Sequence, residues 1–424
     1  MLYQFPYKYL DPVEVPEKNL IGIFECQERI EGEYRSEEEI LLSALKNPIG
    51  SEPLRSLINP GDKVLFIVDD NTRATPAAKI VPLLLREVEK AKVKKKDVRF
   101  IIASGTHRMM SLEEKVAKLG DNIVSNYDVL DHQWFKKENL YFAGKTPLGV
   151  EVWPNKVLKE ADFIAGIGQI FPHAVAGFSG GGKIIVPGVC GEKTCGPMHW
   201  GMVKFRPEDL FGVLDNPVRK TINQVALKAG LKYIFNVVIA GSGRIVGAVS
   251  GHPVKAHEAG VKTSRKVHAV SIPERADIVI VDSFGTDIDY WQAIKAITPA
   301  GIAMKDDGVV IHVCECSEGV SRSHPEVLKY GYLPEKDILR LVEEGKINKT
   351  VAVHMIQASR VITDKGQGIL VSPGISKKDA EKLGFTYAAD PQEAIDLALK
   401  IKGADATICI LRKAGDLLPV IKNQ

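Results

Sequence analysis

The side chains best suited to chemistry crowd into residues 173–199, HAVAGFSGGGKIIVPGVCGEKTCGPMH. Gly177, Gly182 and Lys183 spell G-x-x-x-x-G-K, most of a nucleotide-binding P-loop, but Ile184 stands where Ser or Thr would bind magnesium. Lys183 also runs into a short apolar segment stopped by Pro187-Gly188, with no room for the helix that follows a P-loop lysine. What remains is a glycine-rich turn. Ser179, Gly180, Gly181 and Gly182 can close backbone amides around an anion with Lys183 at the mouth, or can simply form a tight turn. His107, His173 and His199 stand in glycine- or proline-flanked loops, whereas His132, His252, His257, His268, His324 and His354 fall in packed or solvated patterns and His312 lies inside a strand. Two histidines arriving from different strands can face opposite sides of one small molecule. That is what a racemase needs: a base on one face and an acid on the other, each titrating near neutral pH. A third histidine beyond an anion-binding turn can ligate a soft divalent metal carried on a cofactor.

These loops need a frame to hold them. Residues 63–68 (KVLFIV), 98–103 (VRFIIA) and 163–167 (FIAGI) read as buried strands, each followed by a polar loop, and helices are expected from Pro76 to about Ala91 and over 112–119. Strand, loop, helix in repetition is the pattern of a parallel α/β sheet, whose ligands sit at the carboxyl ends of the strands. Asp70, Thr72, Arg73, His107 and His173 all fall just past such ends. Residues 1–60 read as a polar lead-in with one helix near 37–44, and 269–274 as a linker. A fresh α/β pattern begins at Ala276. The expectation is therefore α/β, with two doubly wound domains and the active site in the cleft between them. Residues 1–270 would carry the histidines and 275–405 would close the site. Residues 406–424 would complete the second domain or cross back to the first.

Composition narrows the function classes. The 424 residues carry a net charge of +3, with no like-charge block beyond Lys94-Lys95-Lys96, so nucleic acid and anionic membranes are not expected partners. No apolar run approaches the roughly 20 residues of a membrane span. The first residues lack a basic-then-apolar signal pattern, and the six scattered cysteines suit a reduced cytoplasm.

In the order of its landmarks the chain resembles the nickel-pincer lactate racemases. The shared fragments are D-x-T-R-x-x-P (Asp70, Thr72, Arg73, Pro76), A-[ST]-G-x-H-R (Ala103 to Arg108), H-x-x-A-G-F-S-G-G-x-K-x-x-x-P-G (His173 to Gly188), the later His199, and Q-A-[VI]-K (Gln292 to Lys295). The resemblance implies a pyridinium thioamide/thiocarboxylate mononucleotide bearing nickel, tethered covalently at Lys183 and ligated by His199. His107 and His173 would be the acid/base pair, and Gly180 to Gly182 would hold the mononucleotide phosphate. It implies reversible hydride transfer that inverts C2 of a 2-hydroxy acid, because an α-proton beside a carboxylate is too weakly acidic for simple abstraction. Arg73 would grip the substrate carboxylate. Asp70 would orient Arg73 or a histidine, and Lys295 and Gln292 would complete the site. The implied partners are a small 2-hydroxy acid and the enzymes that assemble the cofactor.

Several positions depart from the lactate enzyme: Gly182 replaces an arginine, Trp291 a tyrosine and Trp200 a serine, and Cys314 to Gly319 differ from its Gly/His-rich loop. These changes bear on which 2-hydroxy acid is used. A nucleotide-hydrolysing P-loop protein and a non-catalytic binding homologue are the rival readings. Ile184 argues against the first and the intact histidine trio against the second.

Overall fold

The computed structural model describes residues 1–30, 35–146 and 149–422. The chain divides into two compact units, one formed by Gln27–Gly201 with Asp209–Val267, the other by Met1–Cys26, Met202–Glu208 and His268–Gln424.

The first unit is built on a six-stranded sheet. Its order is Ile245–Gly251, Leu231–Ile239, Phe163–Gln169, Val64–Asp69, Val98–Ala103, Asp128–Asp131. Every pairing is parallel except that of Ile245–Gly251 with Leu231–Ile239. The central strands read as unbroken apolar runs because both faces are covered: Phe66, Ile67 and Val68 are fully buried. Ala77–Lys90 lays Ile80, Val81, Leu84 and Val88 on one face of the sheet. Each such side chain contributes about 1.5–3 kcal/mol by leaving water. Glu37–Lys46 and Leu112–Leu119 both start with a serine capping box, Ser36 with Glu39 and Ser111 with Glu114. The chain winds from Val64–Asp69 outward to Asp128–Asp131, then returns to the other side of Val64–Asp69 with Phe163–Gln169. The strand order reverses between those two strands, which opens a crevice at their carboxyl ends.

The second unit has its own all-parallel six-stranded sheet, ordered Thr386–Tyr387, Gln367–Val371, Met304–Val313, Ala276–Asp282, Ile408–Leu411, Leu20–Phe24. Here the expected domain boundaries need correction. Residues 1–26 do not belong with the histidines, because Leu20–Phe24 pairs in parallel with Ile408–Leu411. Residues 269–274 are not a linker, because Ala269–Ile272 pairs with Leu418–Ile421. The tail from residue 406 therefore closes the second unit rather than crossing back, and its last two residues, 423–424, lie outside the described residues. Among the described residues no helix is long and apolar enough to cross a membrane.

Candidate active site

The first unit's crevice gathers Asp70, Thr72, Arg73, His107, His173, Lys183 and His199. Asp70 follows Val64–Asp69 directly and is buried. Its Oδ1 accepts from the Thr72 hydroxyl at 2.5 Å, and its Oδ2 faces His107 Nδ1 at 2.7 Å. Burial alone would raise the Asp70 carboxyl, but His107, Arg73 and the Thr72 hydroxyl together hold it well below the usual carboxylate range. An ionised carboxylate can only accept, so His107 donates Nδ1–H and presents the lone pair of Nε2. Arg73 donates to the Thr72 hydroxyl at 2.7 Å, and its guanidinium lies 5.8 Å from the Phe171 ring centroid. Gly105, ahead of His107, stitches its loop to the next one through an N–H bond to the Gly188 carbonyl at 2.9 Å.

His173 has the opposite arrangement. Its Nδ1 accepts from the backbone N–H groups of Val175 and Ala176, at 3.1 and 3.2 Å. Its proton therefore sits on Nε2, which lies 2.5 Å from Lys183 Nζ. Burial, then Lys183 and His199, depress this imidazole well below its ordinary value, so the ring is neutral. His199 ends the helix Glu192–Trp200 and donates Nδ1–H to the Cys195 carbonyl at 2.8 Å, one turn back. Burial, then Lys183, lowers it to about 4 against the Cys195 bond. A neutral imidazole whose Nδ1–H is held by a carbonyl presents Nε2 to a metal, the usual arrangement of a ligating histidine. Its ring centroid is 6.5 Å from that of His173. Among the described residues no group of three or more His, Cys, Asp or Glu side chains could hold a metal unaided. His199 Nε2 is thus placed to give a metal one imidazole.

The glycine-rich stretch folds tightly, with Gly181 to Ile184 in one 3-10 turn. The Gly181 amide is taken by the Asn236 side chain at 2.8 Å. A Cβ would lie 2.8 Å from Ile170 at Gly180, 2.8 Å from the His257 ring at Gly181 and 2.9 Å from Ala226 at Gly182. Ser179 is engaged inward too, donating to the Gln169 carbonyl and accepting from the Phe171 amide, both at 2.8 Å. Close packing accounts for glycine at these three positions, and the turn places Lys183. Sequence reasoning missed the residue that anchors this loop. Arg219, fully buried on the helix Pro217–Lys228, donates to the carbonyls of Ala176, Phe178 and Gly180. It sits among apolar helix positions with no local signal of its target 39 to 43 residues away.

Gln292 and Lys295 belong to the second unit, on the turns after Ala276–Asp282, with Lys295 Nζ donating to Gln292 Oε1 at 2.6 Å. Beside them Trp291 is sandwiched between the rings of His324 and His354, both centroids at 4.0 Å.

Residues 8–209 match the lactate racemase N-terminal domain and residues 272–416 the lactate racemase C-terminal domain. The chain is 32% identical to a lactate racemase of Thermoanaerobacterium thermosaccharolyticum over 94% of each chain, and 31% identical to one from Lactiplantibacillus plantarum over 72% of each. The solved structure of the lactate racemase apoprotein from Thermoanaerobacterium thermosaccharolyticum superposes with a TM-score of 0.86 at 31% identity, covering 99% of this chain and all of that one. A Thermotoga maritima protein at 23% identity, with a TM-score of 0.76 over 92% of this chain and all of that one, shares the fold. These relatives support a racemase, and the chain belongs to the lactate racemase family.

Proposed function

We propose that the protein racemises or epimerises the C2 centre of a 2-hydroxy acid, lactate or a related compound, using a nickel-pincer nucleotide attached at Lys183 and ligated by His199. The observation that carries this is the opposite tautomers of the two remaining histidines. His107 offers a lone pair at Nε2 and His173 offers a proton at Nε2. One resting site therefore holds a base at His107 and a neutral N–H donor at His173, and His107 becomes the acid once it has taken the hydroxyl proton. Asp70 at 2.7 Å stabilises the imidazolium that His107 becomes. Arg73 orients the substrate by its carboxylate, with a guanidinium fork matched to two oxygens. Lys295 and Gln292 are assigned to substrate or cofactor by resemblance to the family's Q-A-[VI]-K motif.

The Lys183 contact supports the tether. Lys183 Nζ lies 2.5 Å from His173 Nε2, and a lysine amine in its neutral form is the group that attacks an acyl carbon. The bound nickel cofactor would supply a sink that accepts the α-hydrogen as hydride and gives it back.

The test is made on holoenzyme co-produced with cofactor-assembly enzymes, offered single enantiomers of 2-hydroxy acids in D2O. Interconversion with the α-hydrogen retained is the expected result. Solvent deuterium appearing at C2 would refute the hydride route, and no interconversion of any 2-hydroxy acid would refute the activity.

A further inference from the structure

Asp70 serves His107, but the carboxylate beside it has other partners. Asp69 is the last residue of Val64–Asp69, and its Oδ2 accepts from the Thr75 hydroxyl. Its Oδ1 stands 2.8 Å from Nζ of Lys118, and the two side chains are only 11% and 6% exposed. Burial raises the Asp69 carboxyl from its ordinary value, against the pull of Lys118 and the Thr75 hydroxyl. The same Lys118 Nζ donates to the Arg73 carbonyl at 2.8 Å. One ammonium thus joins the end of the strand to the arginine further along the loop. The Arg73 N–H is held as well, by the Asp70 carbonyl at 3.2 Å. Both polar groups of the Arg73 backbone are therefore engaged, and its guanidinium donates to Thr72 and lies near the Phe171 ring. Lys118 stands on Leu112–Leu119, with Glu114 one turn earlier on the same face. Glu114 accepts from Asn71 Nδ2 at 2.8 Å and from Arg108 at 2.7 and 2.8 Å. A single helix therefore ties the loop of Arg73 to the loop of His107.

A pair that only fastened the helix to the strand would need Asp69 and Lys118 alone. The contact to the Arg73 carbonyl is the part that such fastening does not require. We propose that Lys118 is a positioning residue for substrate: it holds the Arg73 loop so that the guanidinium is already oriented when a 2-hydroxy acid arrives, a role that rests on the assignment of Arg73 to the substrate carboxylate. Ordering a binding group in advance removes that cost from each binding event. The carboxylate keeps its charge while C2 inverts, so its contact is equally strong in the ground state and the transition state. Loss of the order therefore raises KM more than it lowers kcat.

The test takes two readouts on the full-length protein, as wild type, Lys118→Met and Lys118→Met/Asp69→Asn, each first checked by its melting curve. The double variant removes the buried charge that the single one strands, and it decides the matter if Lys118→Met fails to fold. The first readout is order at Arg73, by NMR of protein labelled with 15N-arginine. The Arg73 Nε signal is identified by its loss in Arg73→Lys. Its heteronuclear NOE is compared with that of Arg219, whose Nε–H is held by the Ala176 carbonyl. A lower NOE at Arg73 with Arg219 unchanged is expected in both variants. The second readout is kcat and KM of cofactor-loaded enzyme. KM for the 2-hydroxy acid should rise about tenfold, with kcat within about threefold of wild type. Lys118→Arg, which keeps a charged donor, should recover part of that rise. Arg73→Met is the control. If it leaves KM unchanged, the carboxylate assignment fails and takes the role of Lys118 with it. If it raises KM while the folded Lys118 variants do not, or if the Arg73 NOE is the same in those variants as in wild type, the role of Lys118 alone is overturned.

Discussion

Replacing Asp70 by Asn alters one atom's charge at the point where the tautomer argument stands or falls. The carboxylate is 2% exposed, with Oδ2 2.7 Å from His107 Nδ1 and Oδ1 bound by Thr72. Asn keeps the shape and one acceptor. It loses the negative charge and can turn its NH2 toward Nδ1, which would move the His107 proton to Nε2 and remove the base. Two unit charges about 4 Å apart interact by about 4 kcal/mol at an effective dielectric of about 20. The His107 side chain is 21% exposed, so water screens part of this. Keeping about half to all of it gives about 2–4 kcal/mol of lost imidazolium stabilisation, or about 30- to 1000-fold in kcat. KM should move little, because Asp70 acts on the histidine rather than on substrate. The assay is kcat and KM of cofactor-loaded Asp70→Asn enzyme in both directions across pH 5–9, with nickel content measured alongside, and 15N NMR of the histidine rings. A loss under about threefold at full nickel loading, or a wild-type His107 protonated on Nε2 rather than Nδ1, would refute the reasoning. The same residue affects acid stability. Its folded carboxyl lies below the unfolded value of about 3.9, so it stabilises the fold above that pH and this contribution fades as pH falls below it. Asp70→Asn should lose less stability between pH 5 and pH 2 than wild type does.

Other substitutions separate the remaining roles. His199→Ala should abolish nickel retention while intact mass still shows the nucleotide increment, whereas Lys183→Ala should lose the increment itself; an increment surviving in Lys183→Ala would place the tether elsewhere. Arg219→Met strips a buried donor from three loop carbonyls and should cost about 3 kcal/mol in urea unfolding, and a midpoint unchanged within error would mean that water satisfies the loop equally well. Burial depresses His132 to about 4 and His312 to about 3, against about 6.5 unfolded. Their contribution is whole above pH 6.5 and is lost as pH falls toward those folded values, so melting temperatures should drop between pH 7 and pH 4, less steeply in His132→Gln.

The sequence discloses most where apolar periodicity is long and local. Val98–Ala103 and Leu112–Leu119 fall where their patterns end, because a strand buried on both faces and a capped amphipathic helix each carry their own boundaries. From those strand ends alone Asp70, His107 and His173 could be sent to one crevice, since parallel topology decides which loops meet. Leu20–Phe24 escaped because five residues of mixed exposure at a sheet edge look like any lead-in, and its partner Ile408–Leu411 lies almost four hundred residues away. The glycine run shows a different limit. Three adjacent glycines announce that side chains are forbidden, but not what forbids them. Gly181 gives its N–H to Asn236, and the Cβ positions are filled by Ile170, His257 and Ala226. Asn236, His257 and Ala226 come from a strand and helices far along the chain, as do the Arg219 bonds that fix the same loop. The tautomers follow the same logic. Residue type places a histidine in the crevice, but only its neighbours, a carboxylate at His107 and two backbone amides at His173, decide which nitrogen holds the proton. Motifs therefore reveal which groups can react, and long-range contacts determine the direction in which each is poised to react.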